Sequence, residues 1–315
     1  MERRAAIRNL LLAGAASIVR RGSAAEAQSD AQGFTIRSDV RLVLLDVSVK
    51  DRDGAFVPGL AKDNFKVLEN GLLQPIAVFA REDLPVTVGI LVDESRSMAS
   101  KRPDVLTAAR TLIAEGNPAD EIFVLNFNET VRRGLPESQL FASDLKALNT
   151  ALYRGRAEGR TALYDAVLDG LNQLELGHRD KKALVLISDG GDNASHHARH
   201  EIFQKLDRSL ATIYAVGLYD EDDQDRAPGV LRHLAGISGG EAIFPASSAE
   251  MTDVCRAIAK DIRTRYTIGY APPVSNGGPL RRVHVIVSAP SGARLSARAR
   301  TQYRYDEIPP SQNKD

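Results

Sequence analysis

The chain has 315 residues, of which 43% are hydrophobic and 26% charged, a composition typical of globular proteins. Lysine and arginine together number 41, as do aspartate and glutamate, so the formal net charge is zero and no nucleic-acid or anionic-membrane partner is indicated. The one cysteine, Cys255, excludes an intramolecular disulfide and lies in an apolar helical pattern that predicts a buried thiol.

Residues 1–27 have the pattern of an export signal. Basic residues at Arg3, Arg4 and Arg8 precede an apolar stretch at 10–19, and A-E-A at 25–27 fits a small-residue cleavage site. The apolar stretch is too short to cross a bilayer as a helix. We therefore expect an exported protein with no transmembrane span in the mature chain. The alternative is a disordered cytosolic N-terminus.

Strand patterns occur near both ends of the chain. Val43, Leu45, Val47 and Val49 alternate with more polar residues, which predicts a half-buried strand at 40–49. Other strand or extended segments are predicted at 65–68, 74–79, 266–270, 282–288 and 294–305. Each group is small for an independent core, so we expect residues 34–82 and 265–305 to pair into one discontinuous β-sandwich.

The last predicted strand carries arginines on one face, at 294, 298, 300 and 304. A solvated strand face is the favoured interpretation, and contact with an anion or a cell wall is the alternative. The polar tail at 306–315 is expected to be disordered.

Between residues 83 and 264, strand and helix patterns alternate. Strands are predicted at 86–92, 121–127, 182–187, 211–218 and 242–244, and helices at 105–113, 144–152, 161–174, 199–210, 229–234 and 247–262. This alternation predicts an α/β fold with a doubly wound, mostly parallel sheet flanked by helices.

Oxygen-bearing side chains follow the predicted buried strands. The apolar run from Val86 ends at Asp93, with Ser95 and Ser97 on alternate positions after it. Thr161 precedes a helix, and Asp189 ends a second apolar run. Ligands of open α/β sheets bind at the carboxyl ends of the strands. Hard oxygen donors at that edge suit Mg²⁺.

Together, D-E-S-R-S, G-R-T-A-L-Y-D and I-S-D-G resemble the metal-ion-dependent adhesion site of von Willebrand factor type A domains. The resemblance implies a Rossmann-like domain at 83–264 and a site in which Ser95, Ser97 and Thr161 bind the metal directly. Asp93 and Asp189 would act mostly through water. Mg²⁺ is expected, with Mn²⁺ and Ca²⁺ as alternatives. Glu94 and Arg96 replace smaller residues of the family pattern and are expected to tune ligand choice.

The segment before residue 83 is similar to the leader of this domain in a group of bacterial secreted proteins. The resemblance therefore implies a periplasmic, cell-surface or secreted bacterial protein. Its function would be Mg²⁺-dependent protein binding, in adhesion or assembly, with a partner's Asp or Glu carboxylate completing the metal shell. No enzyme activity is expected.

Two alternatives use the same ion. One is a hydrolase or phosphoryl-transfer enzyme, for which Asp165, Asp192 and His196 are candidate bases. The sequence contains no phosphate-binding G-x-x-x-x-G-K-[ST] motif, which such an enzyme would be expected to carry. The other is an envelope scaffold in which the metal only stabilises the fold.

Two clusters accompany the predicted site. His196, His197 and His200 follow Asp189, and the spacing of His196 and His200 would suit a transition metal on a helix. An exposed polar face is the favoured interpretation. The acidic run at 220–225 lacks the glycine and terminal glutamate of a calcium loop. It is expected to be solvated and to disfavour acidic ligands from its side.

Overall fold

The computed structural model describes residues 42–81, 83–218, 226–273 and 278–305. The predicted export signal at 1–27, the acidic run at 220–225 and the predicted disordered tail at 306–315 lie outside these ranges. The described strands are β1 (Val43–Lys50), β2 (Phe65–Glu69), β3 (Leu72–Gln74), β4 (Val78–Ala80), β5 (Val86–Asp93), β6 (Glu121–Phe127), β7 (Val131–Arg133), β8 (Lys181–Ser188), β9 (Thr212–Gly217), β10 (Ala242–Ile243), β11 (Tyr266–Tyr270), β12 (Leu280–Val287), β13 (Ser296–Arg298) and β14 (Gln302–Arg304).

The described α-helices alternate with the strands of the central region. They are α1 (Arg102–Ala114), α2 (Leu145–Leu152), α3 (Leu163–Glu175), α4 (Arg199–Arg208), α5 (Pro228–Ser238) and α6 (Met251–Thr264). Helix ends follow local chemistry, because the Asp144 carboxylate accepts from the first backbone N–H groups of α2 and Gly239 ends α5 at φ 83°. Among the described residues, none of the helices combines the length and the hydropathy of a membrane span.

A mostly parallel sheet lies at the centre, with strand order β10-β9-β8-β5-β6-β7. β5 pairs in parallel with both β6 and β8, and every residue of β5 is buried. Burial on both faces explains why this strand is a continuous apolar run. The predicted doubly wound α/β fold is confirmed. β7, which pairs antiparallel with β6, was not predicted, because its three residues show no apolar alternation.

Two antiparallel sheets combine strands from both ends of the described chain. Their orders are β13-β1-β11-β4 and β14-β12-β2-β3. β1 pairs with β11 and β2 pairs with β12, so strands before residue 83 bond to strands after residue 265. One apolar cluster contains side chains of both sheets, among them Leu45 and Val285. The pairing is the one expected for a discontinuous sandwich. The boundaries at 34–82, 265–305 and 83–264 stay a prediction.

The antiparallel sheets contact the amino ends of the central strands. A small cavity there is lined by Asp46 of β1, by Val86, Lys181 and Thr212 at the starts of β5, β8 and β9, and by Arg265 before β11. The Arg265 guanidinium donates to the Asp46 carbonyl oxygen at 3.1 Å. The carboxyl ends of the central strands, where ligands of such sheets bind, therefore lie at the opposite edge.

The predicted last strand is wrong in two respects. Instead of one strand at 294–305, β13 and β14 are separate and belong to different sheets. Arg300 is buried and donates to the Ser209 carbonyl oxygen, while Arg298 bonds Glu241 and Asp261. The predicted solvated arginine face is therefore wrong for these two residues, although Arg294 is exposed. The physical reason is that this segment packs against the end of α5, where a Cβ at Gly239 would lie 2.5 Å from the Ala299 carbonyl carbon.

Asp261 of α6 joins the two parts of the structure. Its Oδ2 accepts from Arg265 at 3.0 Å, Arg298 at 2.6 Å and the Tyr214 hydroxyl at 2.8 Å. Burial alone would raise the pKa of Asp261, but the guanidinium groups of Arg265 and Arg298 outweigh it and lower that pKa. A buried carboxylate with this many donors remains ionised.

A second buried polar cluster lies inside the antiparallel sheets. Arg281 of β12 donates to Glu69 Oε1 at 2.7 Å, and both side chains are excluded from solvent. The hydroxyls of Tyr270 and Tyr303 donate to Glu69 Oε2 at 2.7 and 2.6 Å. Because Tyr270 belongs to one sheet and the other three residues to the second, the cluster links the two sheets.

We predict that Arg281→Met lowers the free energy of unfolding by about 3–5 kcal/mol, because it leaves the Glu69 carboxylate buried without its cation. Urea denaturation followed by circular dichroism measures the loss. The matched control is Arg282→Met on the neighbouring, exposed position, which should change stability by less than about 0.5 kcal/mol. Equal effects of the two substitutions would contradict a stabilising role for the buried pair.

Cys255 is fully buried on α6, as predicted, and burial raises the pKa of its thiol to about 12. At about pH 8 roughly one such thiol in ten thousand is ionised, and the thiolate is the reactive form. We therefore predict that a chromogenic disulfide reagent modifies Cys255 only after the chain is unfolded with denaturant. Rapid reaction of the native protein would contradict this prediction.

Candidate metal centre

Two aspartates meet at the carboxyl edge of the central sheet. Asp93 is the last residue of β5, and Asp189 follows the last residue of β8. These strands are parallel neighbours in which Val92 pairs with Ile187, so the two carboxylates reach the same edge. Both are buried, with exposed fractions of 2% for Asp93 and 1% for Asp189.

The two predicted serines connect these aspartates. The Ser95 backbone N–H donates to Asp93 Oδ1 at 2.8 Å, which turns the chain back over the end of β5. Ser95 Oγ lies 3.1 Å from Ser97 Oγ, and Ser97 Oγ donates to Asp189 Oδ2 at 2.5 Å. The Ser97 hydroxyl, on the loop after β5, therefore contacts the Asp189 carboxylate, on the loop after β8.

Thr161 lies on the third loop and is held by the segment after Asp189. Its backbone N–H donates to Asn193 Oδ1 at 2.9 Å, and its carbonyl oxygen accepts from the Asn193 N–H at 2.9 Å. The same loop contacts the serine loop, because the Arg96 N–H donates to the Gly159 carbonyl oxygen at 3.2 Å. The structure thus places all five predicted residues at one edge, with Asp93 at the end of β5 and the other four on three adjoining loops. Asp93, Ser95, Ser97 and Asp189 form a hydrogen-bonded chain, and Thr161 adjoins them through Asn193.

The electrostatics of this edge favour a cation. Burial, and then the nearby charge of Asp189, raise the pKa of Asp93 to about 7 despite the hydrogen bonds it accepts. Within the described ranges, neither Asp93 nor Asp189 forms an ion pair with a Lys, Arg or His side chain. A divalent ion would relieve the repulsion between the carboxylates, and hydroxyl and carboxylate oxygens are ligands that Mg²⁺ accepts. The residues present therefore fit the metal.

This donor set differs from a cluster of His, Cys, Asp and Glu. The parts of the chain that the structure describes hold no group of three or more such residues arranged to bind a metal. At this edge, hydroxyl groups outnumber carboxylates. A shell made largely of neutral oxygens and water leaves most of the ion's charge available to an incoming anion.

Ser188 belongs to the site but was missed by the sequence analysis. Its hydroxyl donates to Asp93 Oδ2 at 2.6 Å and accepts from the Gly190 N–H at 3.0 Å, so it orients one aspartate and the loop that carries the other. Gly190 has φ 86°, a conformation that suits glycine, and this turn brings the Gly191 N–H to Asp189 Oδ1 at 2.9 Å. In the sequence, only its position as the one hydroxyl residue at the end of the apolar run 183–187 could have indicated this role.

Glu94 does not face the ligand side of the loop, so the expectation that it tunes ligand choice stays a prediction and would require an indirect effect. Glu94 is 1% exposed and accepts from Arg102 Nη2 at 3.1 Å, so its side chain lies beneath the surface. Its backbone N–H donates to the Phe127 carbonyl oxygen at 2.7 Å, which fixes the start of the loop on β6. Arg96, in contrast, is exposed, and a role in ligand choice stays a prediction for it.

The histidines are exposed as expected, but the helical pairing of His196 with His200 is wrong. α4 begins at Arg199, so His196 precedes it. His196 and His197 each direct a backbone N–H and ring Nδ1 at the Asp165 carboxylate, at 2.8–3.2 Å. Burial would raise the pKa of Asp165, but the two backbone N–H groups and the imidazoles outweigh it and lower that pKa to about 2.

These contacts weaken the enzyme alternative. A carboxylate with a pKa of about 2 that accepts several hydrogen bonds is a poor general base near neutral pH. Asp192 is also engaged, because its Oδ1 accepts from the Ser195 hydroxyl and from the Tyr164 N–H. Both aspartates therefore hold the loops around the site.

The sequence model of the von Willebrand factor type A domain family matches residues 87–257. The chain belongs to this family. Type A domains mediate protein–protein interactions, and the matched region of this chain contains both aspartates, both serines and Thr161. No curated protein sequence matches the chain.

Solved structures share the fold at low sequence identity. A von Willebrand factor type A protein from Catenulispora acidiphila is 16% identical, with a TM-score of 0.50, and the match covers 86% of this chain and 76% of that one. Proximal thread matrix protein 1 from the mussel byssus, solved with zinc in its metal-ion-dependent adhesion site, is 16% identical with a TM-score of 0.48, covering 57% and 48%. The type A domain of the pilus tip protein Mfa5 from Porphyromonas gingivalis is 12% identical with a TM-score of 0.44, covering 57% and 97%.

We predict that Ser188→Ala weakens Mg²⁺ binding by about tenfold, because Asp93 loses the hydroxyl that orients it. Isothermal titration calorimetry measures the affinity. Ser209→Ala is the matched control, since Ser209 is also a buried serine that accepts a backbone N–H, but it precedes β9 at the other edge of the sheet. An unchanged affinity in Ser188→Ala would remove Ser188 from the site.

Proposed function

We propose that this type A domain protein is an exported, Mg²⁺-dependent protein-binding module for adhesion or assembly. The observation that carries the proposal is the position of Ser97 Oγ, which contacts both Ser95 Oγ and Asp189 Oδ2. One hydroxyl thus joins the loops that follow β5 and β8. Small polar residues that only cap helices or close turns have no reason to meet at one point.

In this proposal Ser95, Ser97 and Thr161 bind the ion directly, and Asp93 and Asp189 hold it mostly through water. Mn²⁺ and Ca²⁺ are alternatives to Mg²⁺. When bound, the ion attracts an Asp or Glu carboxylate of a partner protein, which completes its coordination. Of the five residues, Ser97 is the least buried, and the exposed Arg96 and Asn193 stand beside the site. A partner would approach here, at the edge away from the antiparallel sheets.

Export is a separate part of the proposal and rests on the leader pattern at 1–27. Its basic start, short apolar stretch and A-E-A segment fit a signal that is removed after translocation. We propose a location in the periplasm, at the cell surface or outside a bacterium. Mass spectrometry of the N-terminus of the protein recovered from an envelope fraction would test this.

We predict that Ser97→Ala and Asp189→Ala abolish Mg²⁺-dependent partner binding while the fold survives. Ser97→Ala removes one oxygen from the site and Asp189→Ala removes two, and neither removes an apolar core side chain. The measurement is a pull-down from envelope extract with Mg²⁺ or with EDTA, quantified by mass spectrometry, with circular dichroism of each variant. Ser209→Ala, at the opposite edge, is the control that should retain partner capture.

Other outcomes of the same experiment would identify the alternatives. Unfolding of Ser97→Ala or Asp189→Ala, or melting of the wild type in EDTA with unchanged partner capture, would indicate a structural metal and a scaffold. Phosphatase turnover that is lost in Asp93→Ala would indicate an enzyme. Either result contradicts the binding proposal.

A further inference from the structure

Exposed arginines cluster on one side of the candidate metal centre. Residues 153–160, Y-R-G-R-A-E-G-R, connect α2 to α3 and are called the arginine loop here. Arg154, Arg156 and Arg160 of this loop are exposed, and so is Arg96, which stands between the two serines of the site. Four guanidinium groups are therefore carried by the segments that surround one metal centre.

Most of this charge is not neutralised. The Arg160 guanidinium lies 3.7 Å from Glu129 Oε1 in an exposed pair. No carboxylate lies within 4.0 Å of the side-chain nitrogens of Arg96, Arg154 or Arg156 in the described parts of the chain. Exposed guanidinium groups that lack internal partners remain available to bind an anion, and they do so in bidentate geometry with carboxylates.

The arginine loop is fastened to the serine loop by backbone hydrogen bonds. The Glu158 N–H donates to the Glu94 carbonyl oxygen at 2.8 Å, and the Arg96 N–H donates to the Gly159 carbonyl oxygen at 3.2 Å. Both contacts lie within two residues of Ser95. The arginines are thus set beside the metal centre, because the loop that carries them is part of its wall.

A partly buried ion pair supports the same loop from the protein side. Arg102 Nη2 donates to Glu94 Oε1 at 3.1 Å and to the Gly155 carbonyl oxygen at 2.8 Å. A Cβ on Gly155 would lie 1.2 Å from Glu94 Oε2, so only glycine lets the backbone come this close. Gly155 stands between Arg154 and Arg156, and the pair therefore holds the centre of the arginine loop.

We infer that Arg96 and the arginine loop form a second half of the ligand site, which binds further acidic side chains of the partner. The preferred ligand is then an acidic protein segment, in which one carboxylate reaches the metal and its neighbours reach the arginines. The metal contact rests on the proposed function, whereas the arginine contacts do not need the ion. A protein segment is favoured over other polyanions because type A domains mediate protein–protein interactions.

The test uses the full chain and two fluorescein-labelled probes. One is a short Gly-Ser peptide with one aspartate, and the other carries several glutamates in addition. Fluorescence anisotropy gives each affinity with Mg²⁺ or EDTA, at about 0.05 M and about 0.5 M salt. The variant is Arg154→Ala/Arg156→Ala, and its matched control is Arg110→Ala/Arg294→Ala, which removes two exposed arginines outside the arginine loop.

Wild type and control should bind the glutamate-rich peptide about two- to tenfold more tightly than the one-aspartate peptide. This preference should fall at high salt and disappear in Arg154→Ala/Arg156→Ala, while Mg²⁺-dependent binding of the one-aspartate peptide persists there. Gly155→Ala, which displaces the loop from Glu94, should also reduce the preference.

Three results would overturn the inference. They are no preference in the wild type, an unchanged preference in the double variant, or tighter arginine-dependent binding to heparin or single-stranded DNA than to the glutamate-rich peptide. A different result would count against the proposed function alone. That result is binding of the one-aspartate peptide that is equal in Mg²⁺ and EDTA, with the arginine-dependent preference intact.

Discussion

The repulsion between two buried carboxylates dominates the electrostatics of the carboxyl edge of the central sheet. Because β5 and β8 pair in parallel, Asp93 and Asp189 lie at the same carboxyl edge of the sheet, where both are almost excluded from solvent. Hydroxyl and backbone N–H donors compensate only in part, because the pKa of Asp93 is still raised to about 7. Burying two carboxylates side by side without a neutralising cation costs free energy of folding. Three separate loops converge on it, and a bound cation would offset the repulsion between the carboxylates.

The features that could be predicted from the sequence are those that depend on local patterns. β5 and β8 are buried on both faces, so each is an apolar run of strand length that ends at a polar residue. The site residues follow these runs at fixed spacing, and parallel topology then brings their loops together. The antiparallel pairing of the chain ends was also predictable, since neither group of strands could form a core alone.

What could not be predicted depends on partners that are distant in the sequence. Arg298 and Arg300 alternate as residues of a solvent-exposed strand face do. In the structure, however, Arg298 pairs with Glu241 and Asp261, and Arg300 donates to the Ser209 carbonyl oxygen. The burial of Glu94 could not be predicted for the same reason. A glutamate between an aspartate and a serine is ordinarily solvated, because burying its carboxylate unpaired is costly. Only the approach of Arg102 makes its burial tolerable, and no local pattern reveals that contact.

The amino and carboxyl edges of the central sheet have different surroundings. At the amino ends of its strands, Arg265 donates to Asp46 of β1, to the Gly239 carbonyl oxygen and to Asp261, which also binds Arg298 of β13. A rotation of the antiparallel sheets against the central sheet would leave these buried charges unpaired, at a cost of several kcal/mol. These contacts therefore hold the antiparallel sheets against the amino edge of the central sheet. Because these sheets occupy the amino edge, they leave the carboxyl edge, with its aspartates, hydroxyls and arginines, uncovered.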